Sequence, residues 1–476
     1  MRLLFIASEV HPFIRTGGLG DVVGALSKEL AKNGENDVRV ILPKYTIIDE
    51  ELKRKIQHIK YIFINVGYKN VYCGIETLEL DGVKFYFIDN EDYFKREKAY
   101  GYNDDNERFA FFSRASLELL KEINWFPEVV NCNDWQTGMI PVLYNLEYKF
   151  KEGYEKIKFA YTIHNLLFQG NFNKETLEDC FGYNLEQFYN GKLEFYGGIS
   201  YMKGGIVYSD KVITVSNTYA NEIKTSEYGE RMEGLLSEKG SDLVGILNGI
   251  DYEEYNPKND KFLYENYNAN TIDKKKLNKE GLQKELWLES NKDIPVIAVV
   301  SRLSWQKGID LVKESMDWLL SQNVQIILLG NGEVEYENYF RELENNNRDK
   351  VRSLIMFNNE MAHKVYAAAD MFLMPSKFEP CGLGQLIALR YGAVPIVRET
   401  GGLKDTIEAY DKYKELGNGF SFQNYSSLEL RDCIWKALRV YNKKEKWVNL
   451  VEKCMMNDNS WSNSSLKYMG IYKEIR

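Results

Sequence analysis

LLFIASEVHPFIRTGGLGDVVGAL, running from Leu3 to Leu26, decides the fold. It opens on a short apolar run, LLFIA (Leu3 to Ala7), that reads as a buried strand, and closes on helical spacing that begins near Leu19. Between the two, Gly17 and Gly18 let the backbone turn tightly and present N–H groups at a helix start, where the partial positive charge favours an anion. Glycines in that place serve either a plain strand-to-helix turn or an anion seat. Arg15, two residues ahead of Gly17, favours phosphate, whereas Asp21 reads equally as a charge suited to a helix N-terminus or as a ligand contact.

Moving outward, further apolar runs alternate with longer periodic stretches: VRVIL (Val38 to Leu42), VKFYFI (Val83 to Ile88), EVVNC (Glu128 to Cys132), KFAYTI (Lys158 to Ile163) and KVITVS (Lys211 to Ser216). Parallel strands buried on both faces and joined by crossover helices give this pattern. After LVGILNGID (Leu243 to Asp251) comes a polar segment rich in Asn and Lys. The rhythm resumes with IPVIAVV (Ile294 to Val300), a helical stretch from about Ile309 to Leu320, VQIILLGNG (Val324 to Gly332), DMFLMPS (Asp370 to Ser376) and AVPIV (Ala393 to Val397). A length of 476 residues exceeds what one core usually supports. The expectation is an α/β protein of two doubly wound domains, 1–245 and 246–456, with a hinge near 244–255. The last twenty residues carry helical spacing at Trp461, Leu466, Met469 and Tyr472, so a C-terminal helix, 457–476, is expected to rejoin the first domain.

Composition narrows the function. A net charge of −9 argues against a general nucleic-acid binder, so any phosphate site must be local. The N-terminal apolar run is too short for a signal peptide and meets Glu9 at once, and no apolar stretch approaches the ~18 residues of a membrane span. Six cysteines without a C-x-x-C pair suggest reduced thiols and the cytoplasm. With four scattered histidines and no Asp-x-Asp pair, neither a metal nor another cofactor is expected.

Chemistry gathers where strands end. In VVSRLSWQKGIDLV, Arg302 and Lys307 follow a strand and precede a helix, and a planar fork beside a compact charge suits a diphosphate. SKFEPCGLGQL follows another strand of the same domain and offers Glu379, then Pro380, then the amides of Cys381, Gly382, Leu383 and Gly384 at a helix start. A carboxylate facing a sugar and amides facing a phosphate make a nucleotide-sugar site, although Glu379 also reads as an exposed loop acid. His164 and Asn165 follow KFAYTI directly, and Asp134 stands just beyond EVVNC, as a helix cap or a ligand group or both.

Together these strings resemble the bacterial glycogen synthase and plant starch synthase family, retaining glycosyltransferases of the GT-B type: two Rossmann-like doubly wound domains facing a central cleft. The carrying residues are TGGLGDVVGAL, RFAFFSRA (Arg108 to Ala115), NDWQTG, TIHNLLFQG, ITVSNTYA, GILNGID, SRLSWQKGID, FEPCGLGQL, YGAVPIVRETGGLKDT and SWSNSSLKY, in family order over nearly the whole chain. The resemblance implies transfer of glucose from ADP-glucose, without a metal, to the non-reducing end of an α-1,4-glucan such as glycogen or a maltooligosaccharide. It assigns Arg302 and Lys307 to the diphosphate, with help from the amides of Gly18, Leu383 and Gly384. Glu379 is assigned to the glucose hydroxyls, His164 to the neighbourhood of the anomeric carbon, Asp134 and Asn248 to the sugar pocket, and Phe357 to stacking near adenine. Many members carry Lys where Arg15 stands, which leaves ADP- against UDP-glucose open, and Ile387 occupies the place of a second glutamate common in the wider superfamily.

TGGL recurs in TGGLKDTIEAY (Thr400 to Tyr410). Either each domain starts a helix with this turn at a shared cleft, the second copy shaping a wall with Arg398 and Glu399, or a common turn has simply been reused. Rival functions are a glycosyltransferase with UDP-glucose or another acceptor, a nucleotide-sugar epimerase, a dinucleotide oxidoreductase and a silent glucan-binding protein. Glycines at 17, 18 and 20 do not match the G-x-G-x-x-G spacing an oxidoreductase would carry.

Overall fold

A computed structural model describes residues 1–32 and 34–476. The chain divides into two compact units. The first holds Met1–Val215, Ala220–Asn248 and Trp461–Arg476; the second holds Ser216–Tyr219 and Gly249–Ser460. The division thus lies after Asn248 where 245 was expected, and the returning segment starts at Trp461 where 457 was expected.

In the first unit the apolar runs become β1 (Arg2–Ile6), β2 (Asp37–Pro43), β3 (Gln57–Val66), β4 (Lys69–Leu80), β5 (Val83–Asp89), β6 (Val129–Asn133) and β7 (Lys158–Ile163). A small sheet of β8 (Asn171–Phe172), β9 (Glu194–Phe195) and β10 (Gly198–Ser200) precedes β11 (Lys211–Thr214) and β12 (Leu243–Gly245). The large sheet has the order β12-β11-β7-β6-β1-β2-β5-β4-β3. All neighbours from β12 to β5 pair in parallel, while β4 pairs antiparallel with β5 and with β3. Neither β3 nor β4 stands among the apolar runs. One face of this hairpin meets solvent through Tyr61, Phe63 and Tyr72, so its residues alternate where the buried parallel strands run continuously apolar.

In the second unit β13 (Val296–Val300), β14 (Gln325–Leu329), β15 (Val351–Leu354), β16 (Met371–Met374), β17 (Val394–Arg398) and β18 (Phe420–Phe422) form one wholly parallel sheet ordered β15-β14-β13-β16-β17-β18. The helical stretch expected from Ile309 ends at Ser321. Each large sheet reverses its winding once. From β1 the chain moves out to β2 and later returns to place β6 on the other flank of β1; likewise β14 and β16 flank β13. The loops after β1 and β6, and those after β13 and β16, therefore border the crevice that such a reversal opens at the carboxyl ends of the strands.

The C-terminal helix, Trp461–Ile475, belongs to the first unit. Its buried face is Trp461, Ser464, Ser465, Tyr468 and Tyr472, whereas Leu466, expected on the apolar stripe, is 71% exposed. Tyr468 lies seven residues from Trp461, two turns along the same stripe, and Leu466 falls off it.

Candidate active site

In the first unit the loop after β1 carries Glu9 and Arg15 into the Gly18–Ala31 helix. Gly17 precedes that helix with an extended backbone. Its N–H, expected to face phosphate, donates instead to Glu9 Oε2 at 3.2 Å, beside the Thr16 N–H at 2.5 Å on the same oxygen. The protein's own carboxylate thus occupies the donors that precede the helix. Arg15 Nη1 donates to Asp21 Oδ1 at 2.9 Å, so Asp21 orients the guanidinium. The glycines that packing demands here are Gly20 and Gly24: a Cβ on them would stand 2.8 Å from Ile14 O and 2.5 Å from His11 O, so the helix lies directly on the loop backbone.

Asp134 follows β6 at φ 54, a left-handed conformation that costs a non-glycine residue on the order of 1–3 kcal/mol. Its side chain does not cap the Trp135–Thr137 turn, as a helix-cap reading would require. Instead Asp134 Oδ1 accepts the N–H of His164 at 2.7 Å, tying the loop after β6 to the loop after β7. Burial pushes the Asp134 carboxyl up to about 7, against the lowering effect of the His164 and Asn165 amides, and the charge of Glu9 adds to the rise. Burial also pulls the His164 imidazole down to about 3, so the ring is neutral near pH 7. His164 Nε2 lies 2.9 Å from Asn133 Oδ1. Asn133 Nδ2 donates to the carbonyls of Ile6 and Asn131, which turns the amide oxygen toward the ring and assigns the imidazole proton to Nε2.

In the second unit Lys307 Nζ donates to both oxygens of Glu379, at 2.9 and 2.7 Å, and Ser376 Oγ adds a bond of 3.0 Å to Oε2. Glu379 is therefore a buried, paired acid, 5% exposed, and the alternative of an exposed loop acid falls. Arg302, at the end of β13, is exposed, and its guanidinium makes no hydrogen bond or ion pair to any described residue. After Pro380 the backbone turns through Gly382 at φ 78 into the short Gly384–Arg390 helix, and Gln385 Nε2 closes the turn on the carbonyls of Cys381 and Gly382. Cys381 is buried and Leu383 is half-buried.

The second TGGL turn supports this same loop. Gly401 has φ 44, and a Cβ there would lie 1.9 Å from Glu379 O; one on Gly402 would lie 2.2 Å from Cys381 O. Gly402 N–H donates to the carbonyls of Glu379 and Pro380, each at 3.2 Å. Arg398, expected with Glu399 to shape a wall, hydrogen-bonds the carbonyls of Lys377 and Gln423, and Glu399 accepts from Ser421 Oγ. Bare backbone at 401 and 402 lets two loops touch, whereas a Cβ on Gly17 of the first copy would meet nothing within 4 Å, so the two copies do not share this cause.

Asn248 is 7% exposed, and its Oδ1 has no hydrogen-bond partner among the described residues, a buried acceptor that a ligand hydroxyl would satisfy. Phe357 stands 77% exposed on the loop after β15. Among the described residues no three His, Cys, Asp or Glu side chains are grouped as a metal site requires. Sequence reasoning missed Glu9, Asn133 and Ser376 as parts of the site. Asn133 left a signal, a polar residue at the end of a buried strand, whereas Glu9 and Ser376 left only their places in the loops, three residues past β1 and two past β16.

Comparison with known proteins places relatives along the whole chain. Residues 2–238 match the family described as the starch synthase catalytic domain, and residues 287–453 match glycosyl transferases group 1. The chain is 55% identical to a glycogen synthase of Clostridium botulinum (strain Alaska E43 / Type E3), over 100% of this chain and 99% of that one. It is also 55% identical to a glycogen synthase of Clostridium perfringens, over 100% and 98%. The catalytic domain of starch synthase IV from Arabidopsis thaliana, solved bound to ADP and acarbose, superposes with a TM-score of 0.93 at 34% identity, over 99% of each chain. A sucrose-phosphate synthase from Thermosynechococcus elongatus shares the fold, with a TM-score of 0.64 at 16% identity over 99% and 98%.

Proposed function

We propose, on the premise that this chain belongs to the glycogen and starch synthase family, that it transfers glucose from ADP-glucose to the non-reducing end of an α-1,4-glucan with retention at the anomeric carbon. The family fixes the GT-B fold and the enzyme class, a glycosyltransferase that makes glycogen. ADP and acarbose bound by the starch synthase relative support the choice of donor and of a glucan acceptor. The observation that carries the residue roles is the Lys307–Glu379 pair at the reversal point of the second sheet.

In this reading Arg302 and Lys307 hold the diphosphate, with the amides of Leu383 and Gly384 beside them, while Glu379 keeps Lys307 aimed and accepts from glucose hydroxyls. The bond from C1 to the phosphate oxygen breaks and its electron pair stays on ADP. The glucan hydroxyl oxygen bonds to C1, and its proton passes to the departing phosphate. Fixed cations facing that growing charge stabilise the transition state, each by on the order of 3 kcal/mol. His164 beside C1 is uncharged, so it does not oppose the positive charge that develops on the sugar. Asp134, bonded to the His164 amide, and Asn248 would complete the sugar pocket.

Incubating the protein with glycogen and radiolabelled ADP-glucose or UDP-glucose tests the proposal. Label is expected in the polymer from ADP-glucose and at least tenfold less from UDP-glucose; the reverse preference would assign the other donor. Absence of label with both donors would defeat the proposal for a folded sample. No helix among the described residues is long and apolar enough to cross a membrane, and a cytoplasmic location is the accompanying expectation, open to cell fractionation.

A further inference from the structure

Glu9 is 4% exposed, and no cation of a described residue pairs with it. A buried carboxylate without a counter-ion is costly unless hydrogen bonds replace its water. Four do. Oε2 accepts from Thr16 N and Gly17 N at 2.5 and 3.2 Å, and Oε1 accepts from Thr16 Oγ1 at 2.6 Å and the Tyr100 hydroxyl at 2.7 Å. Having donated to Glu9, Tyr100 can accept from Ser8 Oγ at 2.7 Å, so the carboxylate also joins the loop after β1 to the segment that precedes the Asp105–Glu122 helix.

The stretch from Arg15 to Gly18 is where the donor-side reading places a cation and an amide. A hinge of two glycines would ordinarily leave both mobile, because glycine has the widest backbone freedom. Here the pair of N–H groups just ahead of Gly18 is held by one oxygen. On the other side the loop is clamped by the helix, which touches the backbone carbonyls of His11 and Ile14 through Gly20 and Gly24. Thr16 and Gly17 thus have one orientation, and it sets those of Arg15 before them and Gly18 after them.

We propose that Glu9 is a positioning residue for donor binding, its carboxylate fixing the Arg15–Gly18 loop through Thr16, Gly17 and Tyr100. The inference rests on the reading of this loop as donor-binding, and the experiment separates the two. Wild type, Glu9→Ala, Glu9→Gln and Arg15→Ala are compared by KM for ADP-glucose, KM for glycogen and kcat, with thermal melts to establish folding. Glutamine keeps the shape: its carbonyl can take both amides, and its NH2 can donate to the two hydroxyls, which can rotate to accept. Glu9→Ala is expected to raise the KM for donor by about tenfold or more, the loss equivalent to one or two hydrogen bonds, while the KM for glycogen moves less than about twofold. Glu9→Gln should return the donor KM to within about threefold of wild type, a rescue that mere destabilisation would not produce. A raised donor KM in Arg15→Ala with an unchanged one in folded Glu9→Ala would overturn the inference and leave the loop reading standing. Unchanged donor KM in both would overturn the reading as well. Should Glu9→Ala fail to fold, Tyr100→Phe, which removes one of the four donors, decides the matter: a donor KM raised severalfold supports positioning, and a wild-type value overturns it.

Discussion

Arg302 and Lys307 leave the same loop for opposite surroundings. Arg302 is exposed and its guanidinium bonds no described residue, whereas Lys307 is locked to both oxygens of the buried Glu379. Removing one partner of a buried pair strands the other charge. Lys307→Met is therefore expected to lose activity and about 3 kcal/mol of stability in a denaturant melt, while Arg302→Met loses activity alone. Asp134 and His164 give a second contrast, in pH. The folded state raises the Asp134 carboxyl from 3.8 to about 7, so it binds that proton more tightly than the unfolded chain, and stability falls as pH rises through this window. Asp134→Asn mimics the protonated acid. It should raise the melting temperature at pH 8, show no gain at pH 4, and reduce turnover at least tenfold. His164 works in the other direction: the unfolded chain takes up a proton near 6.5 that the folded ring, at about 3, refuses, so its stabilisation is complete above 6.5 and lost on acidification. Nitrogen NMR at pH 6 should find a neutral ring carrying its proton on Nε2. At this scale the charged and polar groups that follow the strands were legible, because Arg, Lys and Glu after an apolar run announce themselves. Their pairings were not, since 72 residues separate Lys307 from Glu379.

Among elements, most parallel strands were readable because both faces are covered and the run is apolar, as in β13 and in β1 after Arg2, whereas β15, which carries Arg352 and Ser353, and the three-residue β18 were not among the expected runs. The β3–β4 hairpin was missed because its exposed face breaks that run. The TGGL turns show the same limit. Both start helices, as the glycines suggested, yet the first has its Gly17 amide taken by Glu9 and the second lies beneath the Glu379 loop. Gly401→Ala adds a Cβ at φ 44 and 1.9 Å from Glu379 O, so it should cost about 2 kcal/mol or more and displace Glu379. A stability and activity profile matching wild type would refute that close contact.

For the molecule as a whole, the C-terminal helix decides where the first unit ends. Tyr472 accepts a hydrogen bond from Asn131 Nδ2 at 2.6 Å, Glu474 pairs with Lys211 at 2.7 Å, and Ser464 bonds the carbonyl of Leu247. Ending the chain at Ser460 would uncover the surface that Trp461, Tyr468 and Tyr472 bury, a loss on the order of 5 kcal/mol. Thermal unfolding of the truncated protein should show the first unit melting earlier, and wild-type melting would contradict it. The sequence by itself determined the class of fold, its two large, mainly parallel sheets and the chemical kinds of group at the strand ends, because hydrophobic periodicity and turn chemistry are local, while the small β8–β9–β10 sheet went unread. Only the tertiary structure decided that Glu9 fills the first glycine turn, that the second turn props up Glu379, and that residues 216–219 group with the second unit. Those outcomes depend on which backbones approach within a few ångströms, and that distance is set by packing between segments far apart in the chain.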